Sequence, residues 1–536
     1  MHSDTDIKLN ILLIESNLSS RSHIKRILKQ SGCSKITVEK NGASLISKPQ
    51  LLNYDLMILD FDIDSSFTGT EFIRQLIALQ ILQDHTRIIF ITDQVEKVAA
   101  DLPFRYVTTD IIEKPVNNSK LAQKLQYYDN SSKRLKLLLK QLTKADKIQK
   151  QNILQHAQFI GLDNQQENEI NLIKSTNFLK CGLTNHALNT LKLINDARVQ
   201  ASAQIALYNL CGNETKFKLT LLKMKSLNLL NRKQVFYQIS QAIRQSDSYQ
   251  ALSLINQLDE FSYSHQEVEL KAFLILECHS IEHCIEYLNQ KLGTTLENQH
   301  YRNLVSFSLL KCLILEQTLN HKSNEISDEL FEVRCKKAWA EIAKNQSPID
   351  MMQYQTYLKL ILNICQKPNH KEKWLVRLNI LLKQPQDHIK QFILMSASAL
   401  LKQQKPISLL YNQQLPVLGM MDISAQSLSF NYSMAKIFND QFRDPELKSA
   451  LYNRWGIDRQ KKNKSFQALT YFSKAHALMP LNSVYLLNFL NIMQSLDIQK
   501  YWQFSQLDLI AHANSIELNS QQNQRLEQLS ASIVNH

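Results

Sequence analysis

The stretch YDLMILDFDID, residues 54–64, decides the fold of the N-terminal part of the chain. Its unbroken apolar run, Leu56–Leu59, predicts a β-strand that is buried on both faces. The run ends on the carboxylate of Asp60, and two more carboxylates follow at Asp62 and Asp64. The pattern therefore places an acidic side chain at the point where a buried strand reaches the surface.

Other short apolar runs lie on either side of this strand and alternate with segments of helical spacing. The predicted strands are Ile11–Ile14, Ile36–Val38, Leu56–Leu59, Ile88–Ile91 and Asp110–Ile112. The predicted helices are Leu18–Gln30, with Asn17 as its cap, and three others near 70–82, 94–101 and 117–127. This alternation indicates an α/β fold with a doubly wound, five-stranded parallel sheet. Ligands of such sheets bind at the carboxyl ends of the strands.

Polar residues follow four of the predicted strands and therefore share that edge of the sheet. They are Glu15, Ser16, Asp60, Thr92 and Lys114. With these residues at these spacings, the region 8–127 resembles the receiver domain of two-component response regulators. The resemblance implies a flavodoxin-like fold and a sensor histidine kinase as the phosphodonor.

The resemblance also implies a role for each of these residues. Asp60 would be the phosphoacceptor, Thr92 would donate its hydroxyl group to the acyl phosphate, and Lys114 would pair with a phosphoryl oxygen. Because the carboxylate and the donor are both negative, a divalent cation is needed to bring them together. Magnesium, which prefers oxygen ligands, would be that cation. Its ligands would be Glu15, Asp60 and the main-chain carbonyl of Asp62, with Ser16 as a further candidate.

Several positions depart from the receiver pattern. Two aspartates usually follow the first strand, and Glu15 with Ser16 supplies one charge fewer. Ile111 stands where an aromatic residue often responds to phosphorylation, and Asp93 replaces a small residue. The proline common in the loop after the phosphoacceptor is absent, and Gly69 lies one residue further on than usual. These departures predict weak Mg²⁺ binding, and they leave open a degenerate receiver that keeps the fold without being phosphorylated.

The remainder of the chain is predicted to be mostly helical. The 536 residues include only 9 glycines and 10 prolines, and no proline falls between Pro115 and Pro348. Both residue types interrupt helices, so their scarcity favours long helical regions. We predict a basic helical linker over residues 128–164 and a helical-repeat domain over 165–536.

One part of this domain, residues 449–482, resembles a tetratricopeptide repeat (TPR), a 34-residue helix–turn–helix unit. Residues of the required sizes stand at Tyr452, Trp455, Gly456, Ala468, Phe472, Ala475 and Pro480, and Arg459 is the mismatch. A single helix pair cannot bury its own apolar face. The resemblance therefore implies a superhelix of stacked TPR-like pairs, capped by final helices near 483–534.

The net charge of +13 lies entirely outside the receiver-like part, because residues 1–127 hold 15 basic and 15 acidic side chains. The eight cysteines are scattered and no signal-peptide pattern is present, which predicts reduced thiols in a cytoplasmic protein. The segment CHSIEHC, 278–284, has zinc-ligand residue types, but we predict that it packs in the core. No apolar stretch reaches the roughly 18 residues that span a membrane.

These patterns predict a response regulator that acts as a signalling adaptor. In this interpretation, phosphorylation of Asp60 controls the binding of a protein or peptide to the TPR-like surface. No effector-enzyme motif is found, so we do not expect an enzyme. Two alternatives stay open: a phosphorylation-independent scaffold, and a regulator that binds nucleic acid through its basic C-terminal region. The oligomeric state does not follow from the sequence.

Overall fold

The computed structural model describes residues 7–40, 53–63, 69–78, 82, 86–93, 95, 110–129, 152–154, 164–226, 232–258, 265–294, 299–320, 328–343, 348–384, 386–414 and 425–534. Backbone packing divides the chain into two compact units. The first comprises Met1–Asn231 with Asn491–Leu509, and the second comprises Arg232–Leu490 with Ile510–His536. Within the described residues, no helix combines the length and the apolar character that crossing a membrane requires.

The first unit begins with a parallel sheet of five strands in the order β2-β1-β3-β4-β5. The strands are β1 (Ile7–Ile14), β2 (Cys33–Glu39), β3 (Leu56–Asp60), β4 (Arg87–Thr92) and β5 (Asp110–Glu113). The order reverses beside β1, as in a doubly wound sheet, and the predicted fold class is confirmed. The first strand starts earlier than predicted because Ile7 and Leu9 are buried while Lys8 between them is exposed.

Helices cover both faces of this sheet. They are α1 (Leu18–Gln30), α2 (Gly69–Ala78) and α3 over residues 118–129. The side chain of Asn17 accepts a hydrogen bond from the backbone N–H of Ser20, so the predicted cap of α1 is confirmed. The helix predicted over 94–101 and most of the linker predicted over 128–164 lie outside the described residues.

The strand β3 is buried on both faces, as its apolar run predicts. Met57 and Leu59 belong to the core cluster that contains Phe72 of α2. Leu56 and Ile58 point the other way, into the cluster formed with α1 and α3. Because side chains alternate along a strand, one short run supplies both cores and leads the chain out of the interior at Asp60.

The rest of the described chain is helical apart from one small hairpin. In the first unit the helices are α4 (Asn164–Lys180), α5 (Thr184–Leu191), α6 (Ala197–Leu210) and α7 (Glu214–Ser226). Those that follow are α8 (Arg232–Arg244), α9 (Ser248–Ile255), α10 (His265–Cys278), α11 (Ile281–Thr294), α12 (Gln299–Asn320), α13 (Asp328–Ala343), α14 (Pro348–Gln366), α15 (Lys371–Leu382), α16 (His388–Leu400), α17 (Gln404–Gln414), α18 (Ala425–Gln441), α19 (Pro445–Lys461), α20 (Ser465–Leu478), α21 (Ser483–Ser495), α22 (Gln506–Asn514) and α23 (Ser520–Val534).

Six of these helices end in the same turn, with a left-handed residue two positions after the last helical residue. The left-handed residues are Gly182, Gly212, Ser246, Lys402, Asn463 and Asp497, with φ between 54° and 77°. In the turn after α16, the N–H of Lys402 donates to the carbonyl of Ala399 (2.9 Å), and the N–H of Gln403 donates to that of Ser398 (2.7 Å). This pair of bonds is the Schellman motif, which satisfies carbonyl groups that the helix leaves unpaired.

The pair α19–α20 is held together by close helix contact. A Cβ atom placed on Gly456 would lie 2.6 Å from the ring of Phe472, so only glycine fits at this crossing. The mismatched Arg459 donates from Nη2 to the carbonyl of Asn412 (3.1 Å), and the hydroxyl of Tyr471 donates to the side chain of the same asparagine (2.7 Å). The arginine therefore links this pair to α17.

The segment predicted as terminal helices, 483–534, also contains a two-stranded hairpin, β6 (Lys500–Tyr501) and β7 (Phe504–Ser505). The predicted helices are present, and the hairpin is an addition to them. Residues 491–509 pack against helices near the start of the helical region. Thr184 Oγ1 donates to the carbonyl of Leu496 (2.6 Å), and the N–H of Trp502 donates to that of Gly212 (2.5 Å).

Candidate functional site

The parallel sheet brings the carboxyl ends of β1, β3 and β5 to one edge. Ile14 pairs in register with Leu59, so Glu15 and Asp60, the next residues on each strand, lie side by side. Lys114 follows directly after β5, and its backbone N–H donates to the carbonyl of Thr92 at the end of β4 (3.0 Å). The sheet therefore gathers side chains that the sequence separates by about a hundred positions.

Lys114 joins the two carboxylates. Its Nζ lies 2.7 Å from Asp60 Oδ2 and 3.2 Å from Glu15 Oε2. Burial alone would lower the pKa of Lys114, but the hydrogen bond and the negative charges of Asp60 and Glu15 outweigh burial and raise it. The ammonium group therefore stays charged at neutral pH and can attract an anionic donor.

Glu15 is fixed by its neighbours, and its second carboxylate oxygen faces Lys114. Its Oε1 accepts from the backbone N–H of Asn17 (2.9 Å), and its carbonyl accepts from Arg21 Nη1 (2.7 Å). Its Oε2 is buried and has the ion pair with the Lys114 ammonium as its contact. A buried carboxylate oxygen requires a positive partner, a role that Lys114 fills here and that a metal ion also suits.

Asp60 is held in a position where its charge is disfavoured. Its Oδ1 accepts from the backbone N–H of Phe61 (2.7 Å). Burial is the main cause that raises the pKa of Asp60, the hydrogen bond and charge of Lys114 oppose it, and the carboxylates of Glu15 and Asp62 add to it, so that the pKa is about 6. Additional positive charge at this edge would therefore favour the ionised, nucleophilic form.

Gly69, the first residue of α2, lies against Asp60, the candidate nucleophile, although it comes nine residues later in the chain. Its N–H donates to the carbonyl of Phe61 (2.6 Å), and a Cβ atom there would lie 2.4 Å from the carbonyl oxygen of Asp60. The shifted glycine therefore has a steric role that its spacing in the sequence does not show.

The residues present fit a magnesium ion that keeps several water ligands. Glu15 and Asp60 offer carboxylate oxygens, and the half-buried Asp62 follows two positions later. Ser16 is exposed, and its carbonyl accepts from Arg21 (3.1 Å). Among the described residues no three acidic, histidine or cysteine side chains converge. Such an oxygen-rich, incomplete site is typical of Mg²⁺ rather than of zinc.

The other candidate positions lie near this edge. Thr92 is fully buried at the end of β4, and Asp93 after it is exposed. Ile111 is half-buried and packs against the core cluster of β3, so it occupies the expected aromatic position as an ordinary core residue. Away from this edge, Cys284 Sγ lies 3.1 Å from Cys312 Sγ in the interior of the second unit.

Residues 11–126 match the family model of the response regulator receiver domain. This part of the chain is therefore a receiver domain, and it indicates a response regulator of a two-component system. Searches of curated proteins and of solved structures find no match. The resemblance of residues 449–482 to a TPR stays a prediction, within a region whose described part is mainly helical.

Proposed function

We propose that this response regulator accepts a phosphoryl group on Asp60 and thereby controls the binding of a protein partner to its helical region. The observation that carries the proposal is the arrangement of Asp60, Glu15 and Lys114 at one edge of the sheet. It combines a nucleophilic carboxylate, a cation and an oxygen ligand for a metal. A sensor histidine kinase is the expected donor, and we propose a cytoplasmic location for the protein.

In the transfer, a carboxylate oxygen of Asp60 attacks the phosphorus atom of the donor. A P–O bond to Asp60 forms as the bond from phosphorus to the leaving group breaks, and the leaving group takes the electron pair. Lys114 and the Thr92 hydroxyl would pair with the phosphoryl oxygens. Mg²⁺, held by Glu15, Asp60 and the carbonyl of Asp62, supplies positive charge when bound.

Protein binding is the output that the helical region supports best. The left-handed turn residues Gly182, Gly212 and Ser246 follow one another at intervals of 30 and 34 residues, close to the length of a TPR. Ser175 Oγ donates to the carbonyl of Ala187 (3.1 Å) across one of these pairs. Stacked helix pairs form extended binding surfaces, and we propose no enzymatic activity beyond the receiver's own phosphorylation.

Incubation of the full chain with acetyl phosphate and Mg²⁺ tests the proposal, with intact mass as the readout. We expect a gain of one phosphoryl group that requires Mg²⁺ and is absent in Asp60→Asn. Asp93→Asn, a change of the same kind at an exposed neighbour, is the matched control and should still be labelled. Labelling that persists in Asp60→Asn, or no labelling at any Mg²⁺ concentration, would contradict phosphorylation of Asp60.

A phosphorylation-independent receiver is the second candidate, and one contact favours it. Lys114 approaches the carboxylates of both Asp60 and Glu15, so its ammonium already supplies positive charge to them. With Ser16 in place of a second acid, the pull on a metal ion is weaker. In that case the receiver would bind partners in a single state, and Asp60→Asn would leave partner binding unchanged.

A further inference from the structure

A groove of about 490 Å³ lies between α14 and α15 in the second unit. Each helix turns one face toward it. Thr356, Lys359 and Asn363 line it from α14, and Lys373, Arg377 and Ile380 line it from α15. These positions recur at intervals of three or four residues, so two continuous helical stripes form the walls.

The groove exposes aliphatic side chains. Val376 and Ile380, one turn apart on α15, are 62% and 47% exposed. Behind them Leu360 and Trp374 are buried, and Trp374 Nε1 donates to the carbonyl of Lys367 (3.0 Å), which fixes the indole. The buried Trp374 is fixed, whereas Val376 and Ile380 face water. A partner would therefore gain apolar contacts without any rearrangement of the groove.

The rim of the groove is basic. Residues 351–384 contain six lysines and arginines and one acidic residue, Glu372. Lys359 and Arg377 stand on opposite walls, and no described carboxylate forms an ion pair with either. Lys373 Nζ lies 5.2 Å from the centre of the Trp374 ring. Positive charge on both walls favours an acidic ligand.

We propose that this α14–α15 groove binds an acidic amphipathic helix of a partner protein. The aliphatic side chains along one face of that helix would cover Val376 and Ile380, and its carboxylates would face Lys359 and Arg377. α15 is about 18 Å long, which suits roughly three turns of a partner helix. The inference rests on the proposed protein-binding function of the helical region and names the chemistry of its partner.

A nucleic acid would satisfy the positive charge but not the rest of the surface. Single strands bind through bases that stack on exposed aromatic rings. Here Trp374 is only 8% exposed, and the side chains open to solvent are the aliphatic Val376 and Ile380. Aliphatic side chains give bases no ring to stack on, so the groove favours an apolar helix face.

Fluorescence titration of the full chain tests the groove. The probe is a labelled synthetic peptide of about 15 residues, with leucine at i, i+3, i+4 and i+7 and glutamate on the remaining face. Its control is a peptide of the same composition with the leucines scattered. We expect the amphipathic peptide to bind at least about tenfold more tightly than the scattered one, and more weakly as salt rises.

Two pairs of variants locate the binding. Val376→Glu and Arg377→Glu should each weaken peptide binding about tenfold or more. Their matched controls are Leu409→Glu, an exposed leucine of α17 (55%), and Lys405→Glu on the same helix, and both should bind within about twofold of the unchanged chain. Val376 and Arg377 are both exposed, so these variants are expected to fold, which circular dichroism checks.

The proposed binding site is contradicted if the two peptides bind with equal affinity. It is also contradicted if Val376→Glu and the unchanged chain bind the amphipathic peptide with equal affinity. If a single-stranded RNA displaces the peptide and binds Arg377→Glu more weakly, the ligand of the groove is a nucleic acid and the proposal of an acidic helix is wrong. The same titration in Asp60→Asn separates the two proposals. Peptide binding that is independent of Asp60 supports the groove and removes receiver control, whereas phosphorylation without peptide binding leaves only the Asp60 chemistry.

Discussion

Asp60 lies between opposing electrostatic influences. Burial and the neighbouring acids favour its protonated form, whereas the Lys114 ammonium 2.7 Å away favours the carboxylate. The balance leaves the pKa of Asp60 at about 6, within the range where a small change of surroundings changes the fraction that is ionised. A metal ion or an incoming donor therefore acts on a carboxyl group that is already close to the midpoint of its titration.

The first prediction concerns the pH dependence of phosphorylation. Only the ionised carboxylate is a nucleophile, so the labelling rate at low Mg²⁺ should rise with pH and reach half its maximum near pH 6. Below that pH the proton remains on Asp60 and the rate falls. Saturating Mg²⁺ should shift the midpoint to lower pH, because the cation favours the carboxylate. Acetyl phosphate labelling between pH 5 and 8, corrected for ionisation of the donor, measures it.

A midpoint that Mg²⁺ does not move would show that the metal does not contact Asp60. A flat profile over the same range would contradict the raised pKa of this carboxyl group.

The second prediction concerns Ser16, the position that departs from the usual pair of acids. Ser16→Asp should tighten Mg²⁺ binding by about fivefold or more, because two unit charges about 4 Å apart are worth about 1 kcal/mol in water and Mg²⁺ carries two. Ser16→Asn is the control, because asparagine has nearly the shape of aspartate but no charge, and it should leave the Mg²⁺ affinity unchanged. Isothermal calorimetry of the full chain measures both. Equal affinities for the two variants would place residue 16 away from the metal.

The meeting of these side chains at one edge of the sheet could be predicted, but not the contacts that fix them. Glu15, Asp60 and Lys114 follow apolar strands, and parallel strands must end at one edge. The approach of Gly69 to the carbonyl of Asp60 is a contact between a helix start and a strand end, and local sequence does not determine it. The contact of Glu15 Oε2 with Lys114 depends likewise on which neighbours reach that oxygen.

The geometry of the helix pairs depends on the hydrogen-bonded turns in which their helices end. The six left-handed turns share one hydrogen-bond pattern, but only two of them carry glycine at the left-handed position. Ser246, Lys402 and Asp497 adopt a conformation that side chains with a Cβ atom disfavour by roughly 1 kcal/mol. A search for glycine therefore finds the turns at Gly182 and Gly212 and misses the others. The helices themselves are predictable, because their apolar spacing does not depend on the turn residue.

The third prediction follows from this turn chemistry. Lys402→Gly should stabilise the second unit by about 1 kcal/mol, because glycine accepts φ near 56° without a steric cost. Lys405→Gly, in the first turn of the next helix, is the matched control and should destabilise it by up to about 1 kcal/mol. Urea unfolding followed by tryptophan fluorescence compares the two. Destabilisation by Lys402→Gly would show that its side chain makes contacts that outweigh the strain.

At the scale of the whole molecule, sequence neighbours are not always the packing partners. The contacts of Thr184 with Leu496 and of Gly212 with Trp502 join residues that lie about 300 positions apart. Periodicity describes each helix by itself and carries no information about such distant pairs. The hairpin β6–β7, which sets the path of Trp502, was missed because each strand has only two residues.

The fourth prediction tests this long-range contact. Gly212→Ala should release residues 499–505, because the added Cβ would lie 2.7 Å from the ring of Tyr501 and 2.8 Å from the backbone of Trp502. Gly182→Ala is a matched control, since it is also left-handed but its nearest contact would be 3.2 Å. Hydrogen–deuterium exchange of 499–505 should quicken at least tenfold more in Gly212→Ala. Equal effects would mean that only the turn conformation matters.

The contact between Gly212 and Trp502 also has a consequence for synthesis of the protein on the ribosome. At roughly 5–20 residues per second, the 290 residues between them take about 15 to 60 s to translate. During that interval the nascent chain presents the surfaces of α5 and α6 without the segment that later covers them. Helix pairs made early must therefore persist, or be sheltered by chaperones, until residues 491–509 have left the exit tunnel.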